Sequence, residues 1–315
     1  MSEIDLTRPV SVWQSSDLFQ GREARSLTVI LRTPGCSWAK CTMCGYPAEG
    51  AQATERDLLA QFRMAMDRLS PGTEVVKIYT SGSFLDPREV PETVRDDILG
   101  SLQSLGVKKL VVETRPEYIT PERVKSCLSR METEFALGLE TANDLVRQKV
   151  VCKGFSFQDF IKASEIVHGL GGRIKAYLLL KPPFLSEGEA IGDAISSARA
   201  ARPYADVISL NLCNIQKKTP VERLWERGEY RPPWLWSAVE VLRNSPGPVI
   251  CDPVGAGTRR GPHNCGECDA AVAEAIRKFS LTQNPEDLEG LDHWCKAAWG
   301  KIVDLEEKSF GTPLT

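Results

Sequence analysis

No apolar run in this chain approaches the length needed to cross a bilayer; Ala176–Leu180 is typical of the longest. The opening residues, MSEIDLTRPV, are acidic and polar and do not read as a secretion signal. These two absences lead to the expectation of a cytoplasmic protein without membrane contact. Nor does a charge of one sign dominate: 39 basic residues face 42 acidic ones, for a net charge of −3. Bulk charge therefore does not grip nucleic acid, and action on RNA would need a local basic face or a partner. Internal repeats and low-complexity tracts are missing. With 42% apolar and 26% charged residues, disorder as the main state is excluded. A chain of 315 residues suits one α/β barrel with a small extension.

Short β-branched runs alternate with amphipathic stretches. Strands are expected at 27–32, 74–79, 109–113, 134–138, 173–180 and 206–212. Helices are expected at 55–69, 91–105, 121–130, within 143–169, at 187–202 and at 235–244, the last after a Pro-rich loop. Six strands, each followed by a helix, predict a parallel sheet with right-handed crossovers. No G-x-G-x-x-G follows any strand, so a partial (β/α)6 TIM-like barrel fits better than a dinucleotide fold. After 248–251 the pattern breaks into a Gly/Cys/His loop and two further helices, at 269–279 and 288–307. The expected division is an N-terminal segment (1–26), the barrel (27–245) and a C-terminal metal-binding extension (246–315).

Ten cysteines without a secretion signal argue for metal binding or catalysis rather than disulfides. Cys127, Cys152, Cys213 and Cys295 are scattered and read as small buried hydrophobes. Cys36, Cys41 and Cys44 share one loop, GCSWAKCTMCGY, directly after the first strand, where α/β folds build their sites. Three thiolates so close together suit an iron–sulfur cluster with one iron left open, or else a zinc ion completed by a distant residue. A second group, Cys251, His263, Cys265 and Cys268, offers four ligands for a closed zinc site. It would pin a loop carrying Arg259 and Arg260, which with Lys217 and Lys218 are the candidate phosphate contacts. Trp234 and Trp236 either stack or pack in the core. His168 and His293 are single and carry no signal of their own.

Three cysteines in one loop after the first strand of a six-unit α/β chain resemble the radical S-adenosylmethionine superfamily. The common spacing there has three residues, not four, before the final Cys-x-x-Cys. Other stretches agree in order. Ser81-Gly82-Ser83-Phe84 follows the second strand, Glu113-Thr114-Arg115-Pro116-Glu117 the third, and Gly138-Leu139-Glu140-Thr141-Ala142 the fourth. The last two are similar to motifs of the elongator-acetyltransferase-like subgroup. GCSWAKCTMCGY, YTSGSFLDP, ETRPEYIT, LGLET and RGPHNCGECD also resemble the archaeosine-biosynthesis branch of the superfamily.

The resemblance implies a radical lyase holding a 4Fe–4S cluster on Cys36, Cys41 and Cys44, with S-adenosylmethionine bound to it. It implies cofactor contacts from Ser81, Gly82, Ser83, Glu140, Thr141 and Lys153. Arg147 and Lys149 either join them or form a solvated helix face. Arg115 and Glu113 are the expected catalytic pair, for a carboxylate and an amine of the substrate; Lys181 and Asp86 are their alternates. Arg115 otherwise pairs structurally with Glu113 or Glu140, and Glu140 otherwise forms a surface salt bridge. The implied reaction converts a lysine adduct of 7-cyano-7-deazaguanine in tRNA to archaeosine by C–N cleavage, with an archaeosine synthase partner protein. The competing readings are a methylthiotransferase-like or protein-modifying radical enzyme, and a non-enzymatic zinc or iron–sulfur protein that binds nucleic acid.

Overall fold

The computed structural model describes residues 5–308. Eight strands form one sheet in the order of the chain. They are β1 (Ser11–Phe19), β2 (Arg22–Ile30), β3 (Val75–Tyr79), β4 (Lys109–Thr114), β5 (Glu132–Glu140), β6 (Arg173–Leu180), β7 (Val207–Leu212) and β8 (Val249–Ile250). The six strands expected from the sequence are β2 to β7. The pairs β2–β3, β3–β4, β4–β5 and β7–β8 are parallel. Parallel strands covered on both faces read as continuous apolar runs, and Leu27, Val29, Val76, Ile78, Leu110 and Val112 are fully buried.

β1 departs from these parallel pairs. β1 runs antiparallel to β2 from Ser11↔Ile30 to Phe19↔Arg22, within the residues expected only as an N-terminal segment. Gln20 and Gly21 join them with φ of 51° and 75°, the two left-handed positions of a tight hairpin turn. The mixed burial of SVWQSSDLF is that of an edge strand with one side in water.

The helices are α1 (Glu55–Met66), α2 (Glu92–Ser104), α3 (Pro121–Leu128), α4 (Phe157–Gly169), α5 (Glu187–Ala201), α6 (Pro220–Glu226), α7 (Leu235–Asn244), α8 (Asp269–Thr282) and α9 (Trp294–Lys308). Thr54 with Asp57, and Ser186 with Glu189, form reciprocal caps that fix the starts of α1 and α5. α6 lies in the stretch read as a Pro-rich loop: Pro220 stands in its first turn, where the missing N–H is harmless, and Thr219 caps it. Among the described residues, no helix is long and apolar enough to cross a membrane.

The chain divides into two compact units. The first comprises Met1–Ala39, Tyr46–Gly138 and Gln158–Lys175; the second comprises Lys40–Gly45, Leu139–Phe157 and Ala176–Thr315. Inside the first, the Glu134 carboxylate is paired with both Lys109 and Lys175 at 2.7 Å, and Lys77 with Asp17 at 2.6 Å. The loops leaving the C-terminal ends of β2 to β5 carry Cys36, Cys41 and Cys44 and most of the other candidate site residues.

Candidate active site

In the first unit the site is built around Glu89, which the sequence reading passed over. Its carboxylate, 1% exposed, accepts hydrogen bonds from Thr33 Oγ1 at 2.6 Å, Gly82 N at 2.9 Å and Ser83 N at 2.5 Å. Burial pushes the Glu89 carboxyl up, against the pull of these donors. The loop after β2 and the turn after β3 are thus pinned to one oxygen pair. A Cβ built on Gly82 would lie 2.7 Å from Cys36 Cα, so only glycine lets the turn approach the cysteine loop this closely.

The expected contacts in this unit divide in two. Ser81 and Gly82 are half-buried. Ser83 is buried, and its hydroxyl is bonded to Thr114 Oγ1 at 2.6 Å, so its side chain ties β4 to the turn rather than facing a ligand. Arg115 lies over the Trp38 ring at 5.4 Å, and its Nε reaches Glu117 at 2.5 Å. Glu117 is thus a structural partner of Arg115 that the sequence did not suggest. The Glu113 carbonyl accepts from Phe84 N at 2.8 Å. Asp86 is buried and held by Arg88: burial would raise its carboxyl, but the Arg88 side chain and backbone N–H outweigh that and hold it low. It is no free acid for an amine. The Tyr118 hydroxyl meets Ser37 Oγ at 2.7 Å and accepts from Arg88 at 2.6 Å, a second brace on the residue after Cys36.

In the second unit, Cys41 and Cys44 are fixed by their neighbours. Thr42 bonds to the Val151 carbonyl through its N–H (3.0 Å) and to the Val150 carbonyl through its hydroxyl (2.8 Å), both in the loop after β5. Gly45 N donates to Gln216 Oε1 at 2.5 Å, after β7. Met43 packs against the apolar cluster of Leu179, Cys213, Ile215, Val221 and Tyr230. The same loop after β5 brings Glu140 and Lys153 together at 2.5 Å, with Glu140 at φ 67°. Both were expected at the cofactor. Thr141 was too, but it is fully buried, bonding Asp193 at 2.9 Å and Ser197 at 3.1 Å. Arg147 is also fully buried and donates to the carbonyls of Thr141 and Phe155, while Lys149 is exposed. Lys181 is paired with buried Glu187 at 2.5 Å, so it is no isolated cation for a substrate carboxylate.

A family model of the radical SAM superfamily matches residues 30–190. The chain belongs to the radical SAM superfamily. It is 48% identical to a Methanosarcina acetivorans protein named archaeosine synthase subunit beta, over 97% of this chain and 93% of that one. It is 43% identical to the Thermococcus kodakarensis protein of the same name, over 94% of this chain and 97% of that one. Among solved structures, Methanocaldococcus infernus Elp3 aligns with a TM-score of 0.53 at 20% identity, over 70% of this chain and 59% of that one. The radical SAM partial-barrel fold expected from the sequence is therefore present.

Membership implies a 4Fe–4S cluster and S-adenosylmethionine, and the residues fit both. None of the ten cysteines is in a disulfide, and Cys36, Cys41 and Cys44 are half-buried thiols on one loop, soft ligands of the kind an iron–sulfur cluster takes. Cys127 and Cys213 differ in kind: burial pushes the Cys127 thiol up to about 12 and Cys213 to about 11, as for protonated packing groups. The absence of a side chain at Gly82 lets the turn after β3 pack directly on Cys36 and so fixes the start of the cysteine loop.

The second cysteine group of this radical SAM protein differs from its expected membership. Cys265 and Cys268 are joined by His293 and Cys295, not by Cys251 and His263. Cys251 is buried, its backbone bonded to Ser280, and burial pushes its thiol up. His263 Nδ1 lies 2.8 Å from the Gly261 carbonyl. The missed signal was the close pair His-x-Cys at 293–295, a second two-ligand segment beside the Cys-x-x-Cys at 265–268. Of the phosphate candidates, Arg260 bonds the Ile215 carbonyl and Glu222 and lies over Trp225, whereas Arg259, Lys217 and Lys218 are exposed. Trp236 is core; Trp234 stacks with Arg231 at 4.0 Å.

Proposed function

We propose that this chain is the radical SAM component of an archaeosine-forming pair that acts on tRNA. The observation that carries the reading is identity of 48% and 43%, over nearly the whole chain, to two proteins named archaeosine synthase subunit beta. The word subunit points to a partner protein, and archaeosine is a tRNA nucleoside. In this reading the substrate is the lysine adduct of 7-cyano-7-deazaguanine, and the C–N bond to the lysine carbon breaks so that its nitrogen stays on the base as part of the amidine.

Cleaving a bond beside an unactivated carbon lies outside side-chain acid–base chemistry; a bound cluster with S-adenosylmethionine supplies the one-electron chemistry. The chain's own residues bind and orient. Cys36, Cys41 and Cys44 hold the cluster. The turn at Ser81–Gly82, its amide donors already engaged by Glu89, offers carbonyl oxygens to an ammonium group. Glu140 and Lys153 take ribose hydroxyls and a carboxylate. Arg115 and Glu113 serve the amino acid end of the adduct, Arg115 as a planar fork. Arg259, Lys217 and Lys218 give a small exposed basic face, and the partner supplies the remaining phosphate contacts, with steep salt dependence. A zinc ion has no role in this chemistry.

The test combines the protein with its synthase partner, lysine, S-adenosylmethionine, a reductant and tRNA carrying the 7-deazaguanine. Nucleoside mass spectrometry should show archaeosine. Persistence of the lysine-bearing nucleoside while S-adenosylmethionine is cleaved would leave the superfamily intact and overturn the substrate.

A further inference from the structure

We propose that Cys265, Cys268, His293 and Cys295 bind one structural zinc ion that fixes the start of α9 to the loop before α8. The four ligand atoms all lie within 4.8 Å of one another. Cys265 and Cys268 sulfurs are 4.0 Å apart, and Cys268 and Cys295 sulfurs 3.6 Å. His293 Nδ1 stands 3.6 Å from Cys265 Sγ and 3.3 Å from Cys295 Sγ. A tetrahedral zinc with its ordinary bond lengths sets sulfur–sulfur edges of about 3.8 Å and sulfur–nitrogen edges of about 3.5 Å. These four of the six edges match to within a few tenths of an ångström, and the other two are no longer than 4.8 Å. An iron–sulfur cube holds each cysteine on a different iron at a separate corner, which spreads the sulfurs more widely. This set converges on one point.

The surroundings are those of metal-bound thiolates and imidazole. His293 turns Nδ1 to the sulfurs, and its Nε2 lies 3.3 Å from Glu267 Oε2. That carboxylate also accepts from Trp294 Nε1 at 3.3 Å. A carboxylate on the far nitrogen is the arrangement that orients a ligating histidine. Two N–H groups point at sulfur: Asn264 Nδ2 at Cys268 and Trp236 Nε1 at Cys295, each at 3.3 Å. Such donors favour thiolate over thiol. The knuckle itself is shaped by Asp269, which accepts from Asn264 N and Gly266 N at 2.7 Å each, with Gly266 at φ 95°. α9 then meets α5 and α7: Glu306 accepts from Glu187 N at 2.5 Å, and Trp299 Nε1 donates to Ser237 Oγ at 2.8 Å. Ser237 and Lys181 both bond the Glu187 carboxylate, so the zinc anchors the helix that closes over that buried pair.

The experiment uses cluster-loaded, full-length protein, so that the iron-site thiols are occupied. Elemental analysis should give about one zinc per chain, and zinc X-ray absorption should show three sulfurs and one nitrogen. Cys295→Ser and His293→Gln should lose the zinc, and Cys251→Ser and His263→Gln should keep it. Glu267→Gln leaves all four ligands in place and should weaken zinc affinity about 10- to 100-fold. Should Cys295→Ser fail to fold, the wild-type absorption spectrum and Glu267→Gln still decide. Zinc-free wild-type protein, iron at this site, a shell other than three sulfurs and one nitrogen, or zinc lost on changing Cys251 or His263 would each overturn the proposal.

Discussion

A methyl group on Gly82 would stand 2.7 Å from Cys36 Cα and 2.8 Å from Cys36 Cβ. Both contacts are with Cys36, and the third neighbour, Glu89 Oε2 at 2.9 Å, belongs to a carboxylate that is itself fixed by three donors. Nothing near Gly82 gives way without moving the cysteine loop. Gly82→Ala should therefore cost about 1–3 kcal/mol, the usual range for overpacking. It should also lower cluster occupancy and cut the rate of S-adenosylmethionine cleavage at least tenfold. Gly100→Ala, where the new methyl meets open space on α2, is the control and should stabilise by about 0.5–1 kcal/mol. Full cluster content and cleavage in Gly82→Ala would refute the close-approach argument.

Replacing any one of Cys36, Cys41 or Cys44 by Ala should abolish the 4Fe–4S absorbance and the reductive cleavage of S-adenosylmethionine. The fold should persist, because all three thiols lie on a loop and none is in the core. Cys127→Ala should do the reverse, keeping cluster and cleavage while lowering the melting temperature, since that thiol is a buried packing group of α3. Cleavage at the wild-type rate with two of the three loop thiols would contradict the ligand set.

Acid stability should track Glu134. Burial alone would raise its carboxyl, but Lys175 first and Lys109 second outweigh this and hold it at about 2, against an ordinary value of 4.5. A carboxyl depressed in the folded state contributes stability above its unfolded pKa, and that contribution is lost as pH falls through the folded one. Unfolding free energy should decline between pH 4.5 and about 2. Glu134→Gln should remove that share of the slope and destabilise the protein at neutral pH by about 3–5 kcal/mol, because two buried lysines lose their counter-charge. Urea titrations across this range check both; an unchanged slope in Glu134→Gln would refute the assignment.

The sheet was legible because parallel strands are written in runs such as LTVILR, KLVVE and DVISLNL, which local pattern alone reveals. β1 was not, since SVWQSSDLF is half-polar and its place depends on pairing with β2. At the site, sequence spacing marked the loops but not what each side chain does there. Ser83 and Thr141 sit in the right motifs, yet their hydroxyls close internal bonds to Thr114 and Asp193. Glu89 gave no signal because its role is to satisfy backbone N–H groups, which any sequence carries. Cys251 and His263 lay nearest the Cys-x-x-Cys in sequence, but Ser280 holds the Cys251 backbone and the Gly261 carbonyl engages His263. His293 and Cys295 come 25 residues or more later and meet the knuckle only through the tertiary fold.

Arg147 offers the last test, of how the loop after β5 is held. Its guanidinium is fully buried and bridges the two ends of that loop, donating to the Thr141 carbonyl at 2.6 Å and the Phe155 carbonyl at 2.9 Å. Its own carbonyl accepts from Lys153 N at 2.9 Å, next to the side chain that pairs with Glu140. A lysine keeps the charge but is a point donor and cannot span both carbonyls. Arg147→Lys should leave one carbonyl unsatisfied, at about 1–3 kcal/mol. As a positioning residue, it should raise the KM for S-adenosylmethionine several-fold with kcat for its cleavage nearly unchanged, since the cluster thiols stay in place. Glu140→Gln should raise the same KM and, because Lys153 then loses its counter-charge in a buried pair, should lower stability as well. If Arg147→Lys lowers the melting temperature but binds S-adenosylmethionine as tightly as wild type, the loop is structural and Glu140 and Lys153 are not cofactor contacts.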